Sequence, residues 1–185
     1  PDRALALPEP PKEASLARIM RHYARGEAFA ARGQAAQVLA ESRAIAKIKA
    51  SDKNGPPAAS MGKMAAKILE GRALMLQGKP ARAAKAFEQA AKIQENTFRY
   101  AFDPPPWWYP VRRSVAAAKL QAGDHAGAAD EAKRTLEVWP GDGLAMRVLS
   151  EAERKAGDAG AADRHLAQAR GLWRGDLDAV ALSRI

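Results

Sequence analysis

The 185-residue chain contains no cysteine, which excludes disulfide bonds, thiolate catalysis and thiolate metal sites. Aromatic residues make up only 6% of the chain, and the runs of Val, Ile, Thr and aromatics that are typical of strands are missing. No stretch approaches the roughly 18 consecutive apolar residues that a membrane-spanning helix needs. A disulfide-stapled fold is therefore excluded, and a β-rich fold is disfavoured.

The apolar residues that are present favour helices. Hydrophobic residues make up 47% of the chain, and most of them are alanine and leucine. Alanine loses no side-chain entropy in a helix and lets two helices approach closely. The composition therefore predicts an all-α protein whose helices pack tightly.

The charge balance gives one hint about partners. The formal net charge is +9, with a pI near 10.0. Such a balance raises affinity for acidic proteins, nucleic acids and anionic membranes. The lysines and arginines are spread along the chain rather than packed into runs, which makes nucleic acid the less favoured partner.

A glycine turn recurs four times between Ala-rich stretches, at Gly33, Gly78, Gly123 and Gly157. The last two are 157 − 123 = 34 residues apart, which is the tetratricopeptide period. The two earlier spacings are 45 residues, or 34 plus an insertion of 11. Seven residues before each turn stands a small residue, Gly26, Gly71, Ala116 and Ser150, where we expect the first helix to meet its partner helix with little side chain in between.

The residues after each turn keep a second pattern. A small or compact residue follows five positions later, and further positions at steps of four and three lie on one face of a helix. In the second repeat these residues are Ala83, Phe87 and Ala90. The pattern predicts a second helix that packs against the first.

Together these positions resemble the tetratricopeptide repeat (TPR) family over roughly residues 14 to 173. The resemblance departs from the family where its consensus aromatic is replaced by His22, Lys67, Arg112 and Met146. The Pro- and Trp-rich stretch from Tyr100 to Arg112 is similar to a junction in large bacterial TPR proteins. The resemblance implies a stacked α-solenoid of about four helix pairs, from the C-terminal part of a larger bacterial TPR-like protein.

We expect an extended Pro-rich segment over residues 1–12, followed by one repeat domain over 13–185. Its helix pairs are predicted near residues 13–50, 60–96, 110–138 and 143–173, and a short capping helix near 175–185. The Asn-Gly and Pro-Pro dipeptides between Ser51 and Pro57 predict a break between the first two pairs. The compartment stays open, because the composition suits a bacterial cytoplasm and a periplasm equally.

No catalytic or metal-binding pattern is evident. The histidines His22, His125 and His165 are accompanied by no glycine-elbow serine and no cysteine, and none is paired with another at the four-residue spacing of a helical metal site. The glycine-containing stretches lack the lysine of a phosphate-binding loop. We therefore predict no enzyme activity, no cofactor and no metal.

The TPR resemblance implies that the first helix of each pair lines a concave partner-binding wall. Residues at the wall positions include Tyr23, Arg72, Arg113, Arg147, Glu151 and Arg154. One interpretation is a groove that binds an acidic or carboxylate-bearing segment through paired guanidinium hydrogen bonds. The alternative is that these arginines form ordinary ion pairs inside the array, with Glu151 and with aspartates.

Trp107 and Trp108 form a second candidate site, because prolines on both sides hold them extended. They either present an aromatic ledge to a partner at the mouth of the groove or fold back to fill the gap between pairs two and three. The leading hypothesis is a protein-protein interaction scaffold. The alternatives are a self-association module that forms a homo-oligomer and, less favoured, a nucleic-acid-binding helical repeat.

Overall fold

The computed structural model describes residues 1–52, 57–98 and 105–185, and these ranges are helical without a strand. They also contain a π-helical turn over Gln94–Phe98 and a 3₁₀ turn over Leu182–Arg184. The all-α prediction is confirmed. In chain order the α-helices of these ranges are α1 Asp2–Leu5, α2 Ser15–Ala31, α3 Ala35–Ala46, α4 Ala58–Leu76, α5 Pro80–Ile93, α6 Arg112–Gln121, α7 His125–Val138, α8 Gly143–Lys155 and α9 Ala159–Leu172.

The chain divides into two compact units, unit 1 over Pro1–Trp108 and unit 2 over Tyr109–Ile185. Unit 1 contains the pairs α2/α3 and α4/α5, and unit 2 contains α6/α7 and α8/α9. Within each unit every helix packs against the next, and the first helices of the two pairs also meet, α2 with α4 and α6 with α8. This is the stacking of TPR-like helix pairs, so the predicted fold class is confirmed. A single repeat domain over 13–185 stays a prediction.

The four repeated glycines end the first helix of each pair in the same way. Gly33, Gly78, Gly123 and Gly157 all have positive φ, between 67° and 91°. The next residue donates its N–H five residues back, as Gln34 does to the Phe29 carbonyl at 3.0 Å. This closes the helix end with a Schellman motif, which needs a residue that adopts the left-handed region without strain.

The small residues before the turns make room for close packing. A Cβ on Gly71 would lie 2.5 Å from the ring of Phe87, on the second helix of the same pair. A Cβ on Gly26 would instead meet Leu69 of α4, the first helix of the next pair. Both glycines therefore permit contacts that any larger residue would obstruct, one within a pair and one between pairs.

Two positions where the TPR consensus has an aromatic carry a basic residue with a glutamate partner. His22 Nδ1 lies 2.6 Å from Glu41 Oε2, and Arg112 Nη1 donates to Glu131 Oε2 at 2.5 Å. In both cases the glutamate stands 19 residues later, on the second helix of the pair. A polar contact thus joins the helices of pairs one and three where the consensus places a packed aromatic.

Glu131 binds a second basic side chain in addition to Arg112. It is 7% exposed and also accepts a hydrogen bond from Lys119 Nζ at 2.9 Å. Burial raises the pKa of this carboxyl, but the hydrogen bonds from Lys119 and Arg112 and their positive charges outweigh burial and lower the pKa overall. Glu131 is therefore held ionised by the first helix against which it packs.

The start of α4 is held by a side chain from outside the helix. Asp52 accepts the N–H groups of Ala59 and Ser60 at 2.8 and 3.1 Å, and the Ser60 hydroxyl at 2.6 Å. These hydrogen bonds, chiefly that from the Ser60 side chain, lower the pKa of Asp52. The predicted break between Ser51 and Pro57 lies partly outside the described residues, over 53–56.

Both terminal segments differ from the sequence prediction. The first twelve residues, expected to be extended, contain the short helix α1. Arg25 of α2 holds this helix by donating to the Leu5 carbonyl at 2.8 Å. The predicted C-terminal helix over 175–185 is replaced by an irregular segment that is helical only in the 3₁₀ turn. Trp173, whose backbone is extended with ψ of 134°, ends α9, and Gly175, with φ of 113°, keeps the following chain out of the right-handed helical region.

Candidate functional site

Four of the eight candidate residues lie together in unit 1. The rings of Trp107 and Trp108 stack with centroids 4.5 Å apart, at 23° between the ring planes. Tyr23, on α2, packs edge-on against both, at 4.8 Å from Trp107 and 5.7 Å from Trp108. Offset stacks and edge-on contacts are the favoured geometries of aromatic pairs. The three rings therefore form one cluster against α2, which we call the aromatic cluster.

Glu27 links this cluster to the fourth candidate, Arg72. The Tyr23 hydroxyl donates to Glu27 Oε1 at 2.9 Å, and Arg72 Nε lies 3.3 Å from the same oxygen. Arg72 is 4% exposed, with its guanidinium 5.5 Å from the centre of the Phe87 ring. Arg72 is therefore held by an ion pair and by a cation–π contact, and it fixes Glu27 next to Tyr23.

The two tryptophans differ sharply in exposure. Trp107 is fully buried, whereas Trp108 is 59% exposed although it stacks on Trp107. The sequence left two alternatives open for this pair, an aromatic ledge and an apolar filler. The exposure of Trp108 is what a ledge requires, and the burial of Trp107 is what a filler requires. The rest of the junction, residues 99–104, lies outside the described part of the chain.

Arg113, in unit 2, is enclosed by its own unit. Its Nη1 donates to Asp142 Oδ2 at 2.7 Å, and its guanidinium carbon lies 4.6 Å from the centre of the Tyr109 ring. The other oxygen of Asp142 caps α8 by accepting the Ala145 N–H at 2.8 Å. One carboxylate thus starts α8 and joins it to α6.

Arg147 and Glu151 lie one turn apart on α8 and bind each other, with Arg147 Nε 2.8 Å from Glu151 Oε1. Arg147 also donates from Nη1 to the main-chain carbonyls of Leu177 and Val180, at 2.7 and 2.5 Å. Both acceptors belong to the irregular C-terminal segment. The guanidinium therefore already binds a stretch of main chain.

Arg154 is the most exposed arginine of the candidate set. Its Nη2 lies 2.7 Å from Asp163 Oδ1 on α9, and the two side chains are 48% and 71% exposed. An ion pair this open to water contributes little to stability, typically about 0–1 kcal/mol. All three candidate arginines of unit 2 thus make intramolecular ion pairs, and the pair of Arg154 is the easiest for an incoming carboxylate to replace.

Two of the three histidines, His165 and His22, make contacts between the helices of a pair. His165 Nδ1 lies 2.7 Å from Glu153 Oε2, across the pair α8/α9, and His22 contacts Glu41 across α2/α3. Within the described ranges, no group of three or more His, Asp or Glu side chains is arranged to hold a metal ion. Among the helices of these ranges, none combines the length and apolar character that a bilayer crossing requires.

A cavity of about 570 Å³ lies in unit 1 beside the first half of α4. Its walls are mostly aliphatic, including Ile19, Ile45 and Ile93, and Lys49, Lys63 and Lys67 also line it. The volume is in the range of small-molecule pockets. None of the eight candidate residues lines this cavity in the part of the chain that the structure describes.

The sequence offered ion pairs of these arginines with Glu151 and with aspartates as one alternative, but it did not say which aspartate holds which arginine. The role of Asp142 as a helix N-cap was readable from the sequence, since Pro-Gly-Asp-Gly before an apolar run is typical of a helix start. Its ion pair with Arg113 was not readable from any local pattern. Glu27, four residues after Tyr23, stands at the spacing of helix neighbours. The contact of Leu177 and Val180 with Arg147 has no local signal, because it spans at least 30 residues.

Comparison with known proteins adds little to this geometry. No protein-family model matches the chain, and no curated protein matches it. A solved structure described as "MamA MSR-1 C2" is similar at 17% identity with a TM-score of 0.34, covering 84% of this chain and 96% of that one. At that distance the likeness decides nothing about function. The TPR-like helical fold rests on the turns, pairs and contacts described above.

Proposed function

We propose that this protein is a TPR-type interaction scaffold that binds a segment of another protein on the surface of unit 1 around Trp108. The observation that carries the proposal is the exposure of Trp108 on a buried, stacked base. We further propose that the chain is part of a larger bacterial TPR-like protein, that it has no catalytic activity, and that its partner is acidic, in line with the net charge of +9.

An exposed tryptophan held in one place is well suited to anchor a partner. Tryptophan is among the residues most enriched at binding hot spots, where truncation costs about 2 kcal/mol or more. Trp108 stacks on Trp107 and packs against Tyr23, so its ring is ordered before a partner arrives. Little side-chain entropy then remains to be lost on binding.

The polar groups beside the aromatic cluster supply a rim. The Glu27 side chain is 33% exposed, and the buried Arg72 fixes its position. A carboxylate next to an aromatic surface offers a partner one hydrogen-bond acceptor close to an apolar contact. Such an apolar centre with a polar edge is the usual composition of a protein interface.

We propose the candidates in unit 2 as a separate set of partner contacts, independent of the surface around Trp108. Arg154 is the most available, because its ion pair with Asp163 is exposed and weak. Arg113 and Arg147 would have to exchange present partners for a carboxylate of the bound segment. Glu151 then acts by orienting Arg147 rather than by touching the partner.

Self-association is the competing function, and a specific observation favours it. Among the described residues Val138 and Leu172 are large apolar side chains with 58% and 49% exposure, in addition to Trp108. These residues give a second copy of the chain apolar surface to contact. Nucleic-acid binding remains the third hypothesis, with a steep salt dependence of affinity as its expected signature.

The test is photo-crosslinking from the proposed surface. A benzophenone amino acid at position 108 should capture a partner, whereas the same group at position 172, also exposed, should not. With the captured partner purified, Trp108→Ala should weaken binding about 30-fold, as expected for loss of about 2 kcal/mol at a hot spot. Leu172→Ala is the matched control and should leave the affinity within a factor of three.

Two outcomes would go against the proposal. Unchanged affinity of Trp108→Ala for the captured partner would remove the site. Crosslinks only to copies of the same chain, together with a dimer by light scattering that Trp108→Ala dissociates, would favour self-association instead.

A further inference from the structure

The cavity of about 570 Å³ in unit 1 is built largely by the second helices of the two pairs and by α4. Its walls come from the end of α3 and the residues after it, the first half of α4 and the end of α5. The connection between α3 and α4 is 11 residues long, whereas that between α7 and α8 in unit 2 is four. Residues 48–50 of the longer connection line the cavity, so the insertion seen in the sequence contributes to this site.

The apolar part of the lining is aliphatic. Ile19 and Ile45 are buried and supply its inner surface, while Ile48 and Ile93 are half-buried. Apart from three lysines, Gln89 is the one polar side chain among the described residues that line the cavity. Walls with so few hydrogen-bonding side chains favour a ligand whose body is a hydrocarbon chain. A peptide segment would have to bury N–H and C=O groups there without partners from these side chains.

The charged side chains of the lining all have the same sign. Lys49, Lys63 and Lys67 line the cavity, and no Asp or Glu does so in the part of the chain that the structure describes. Lys63 and Lys67 stand one turn apart on α4, and Lys49 and Lys63 are exposed. Lys67 binds Glu70 at 2.8 Å in a partly exposed pair, and Asp52, whose pKa the charge of Lys63 helps to lower, caps α4. Lys49 and Lys63 are therefore the cations best placed to bind an anionic group at the edge of the cavity.

The same sign prevails in unit 1 as a whole. Residues 1–108 contain 18 of the 30 lysines and arginines but only 10 of the 21 aspartates and glutamates. This part of the sequence therefore carries +8 of the net charge of +9. A field of this sign attracts anions and repels cations of equal apolar character.

We propose that the cavity binds a free fatty acid. Its hydrocarbon chain contacts the isoleucines of α3 and α5, and its carboxylate is bound by Lys49 and Lys63. A single aliphatic chain with one anionic end is the ligand class that uses both the apolar walls and the lysines. The inference goes beyond the scaffold function proposed above, because neither Trp108 nor any other of the eight candidate residues lines this cavity.

The test is calorimetric titration of the full chain with dodecanoate below its critical micelle concentration. Saturable binding of one molecule per chain is expected. In the series from octanoate to dodecanoate, each added methylene that the cavity buries should strengthen binding up to about fourfold. Dodecyltrimethylammonium, which has the same chain and the opposite charge, should bind at least about tenfold more weakly than dodecanoate.

Two variants of the lining separate the roles of charge and shape. Lys49→Glu/Lys63→Glu should weaken dodecanoate binding about tenfold or more, because the carboxylate then meets like charges. Lys79→Glu/Lys85→Glu is the matched control, since it makes the same charge change at exposed positions outside the lining, and it should stay within about threefold of wild type. Ala46→Phe, at an exposed position of the lining, keeps the lysines but fills part of the cavity, and it should also weaken binding about tenfold.

Four results would overturn the proposal. They are no saturable binding of dodecanoate to the wild-type chain, equal affinity for dodecyltrimethylammonium, equal losses in the two double variants, and an Ala46→Phe variant that has native helical circular dichroism and wild-type affinity. Binding to vesicles of phosphatidylcholine and phosphatidylglycerol without binding of free dodecanoate would assign the basic surface to a membrane instead. Trp108→Ala should leave dodecanoate binding unchanged, so failure of this proposal and failure of the proposed function are distinguishable.

Discussion

Trp108 stacks on Trp107 with ring centroids 4.5 Å apart, and one ring of the pair is fully buried while the other is 59% exposed. Adjacent residues of the same type thus have opposite environments. Trp107 contributes packing to unit 1, and Trp108 contributes surface. This division makes stability and binding separable by mutation.

Trp107→Ala should destabilise unit 1 by about 3–5 kcal/mol, because it leaves a large cavity under Tyr23 and Trp108. Trp108→Ala should cost only about 1 kcal/mol, mainly through the lost stacking contact. Urea unfolding of the two variants measures the difference. Equal losses would mean that both rings are packed in solution and that Trp108 is not presented to a partner.

Gly71→Ala should destabilise the protein by about 1–3 kcal/mol, because the new Cβ would lie 2.5 Å from the Phe87 ring. Adding Phe87→Leu should recover part of the loss by clearing the contact. Gly171→Ala is the matched control, since no atom outside its own helix backbone and chain neighbours lies within 4 Å of the new Cβ. That exposed change in α9 should stabilise by about 0.5–1 kcal/mol, as alanine is the better helix former.

Glu131→Gln should cost about 3–5 kcal/mol at neutral pH, because it leaves the buried guanidinium of Arg112 without its carboxylate. The pH dependence has a definite sign. The pKa of Glu131 is lower in the folded state than its ordinary value of 4.5, so the folded state favours the ionised form. Its stabilisation is complete above pH 4.5 and is lost as the pH falls through the folded-state pKa.

The measurement is the free energy of unfolding at pH 7 and in steps down to pH 3. Wild type should lose more stability over the acid part of this range than Glu131→Gln does. Identical slopes for the two proteins would show that other carboxylates carry the acid sensitivity. Glu88→Gln, at an exposed i,i+4 pair with Lys92, serves as the control and should behave as wild type.

Asp142→Ala should destabilise unit 2 by about 3 kcal/mol or more, because it removes the cap of α8 and the carboxylate partner of the mostly buried Arg113. Asp158→Ala removes a cap of the same geometry, with Oδ1 2.9 Å from the Ala161 N–H, and should cost about 1 kcal/mol. Thermal unfolding of both variants checks the comparison. Similar losses would mean that the contact with Arg113 contributes nothing.

Much of the fold was predictable because its signals are local. A glycine at the end of a helix adopts positive φ by itself, so Gly33, Gly78, Gly123 and Gly157 mark four helix ends. Small residues seven positions earlier were expected at close helix contacts, and Gly71 meets Phe87 within its pair. Gly26 was expected to do the same but packs against Leu69 of the next pair. Helix periodicity predicts on which face of its helix a residue lies, but it does not predict which other helix that face contacts.

The candidate site was less predictable for the same reason. Periodicity placed Arg113, Arg147 and Arg154 on first helices. Arg113 and Arg154 bind acceptors 29 and 9 residues away, and Arg147 binds carbonyls 30 and 33 residues away in addition to its helix neighbour Glu151. Whether an arginine is available to a partner depends on such distant contacts. The role of each arginine in partner binding stays a prediction.

By itself, the sequence determined that this protein is built of Ala-rich helix pairs closed by glycine turns, because helix propensity, periodicity and the left-handed region are properties of neighbouring residues. Only the tertiary structure decided which tryptophan is buried and which is presented. It also decided that Arg147 binds the chain's own C-terminal segment. Those outcomes depend on groups that folding brings together from at least 30 residues apart, where no local rule applies.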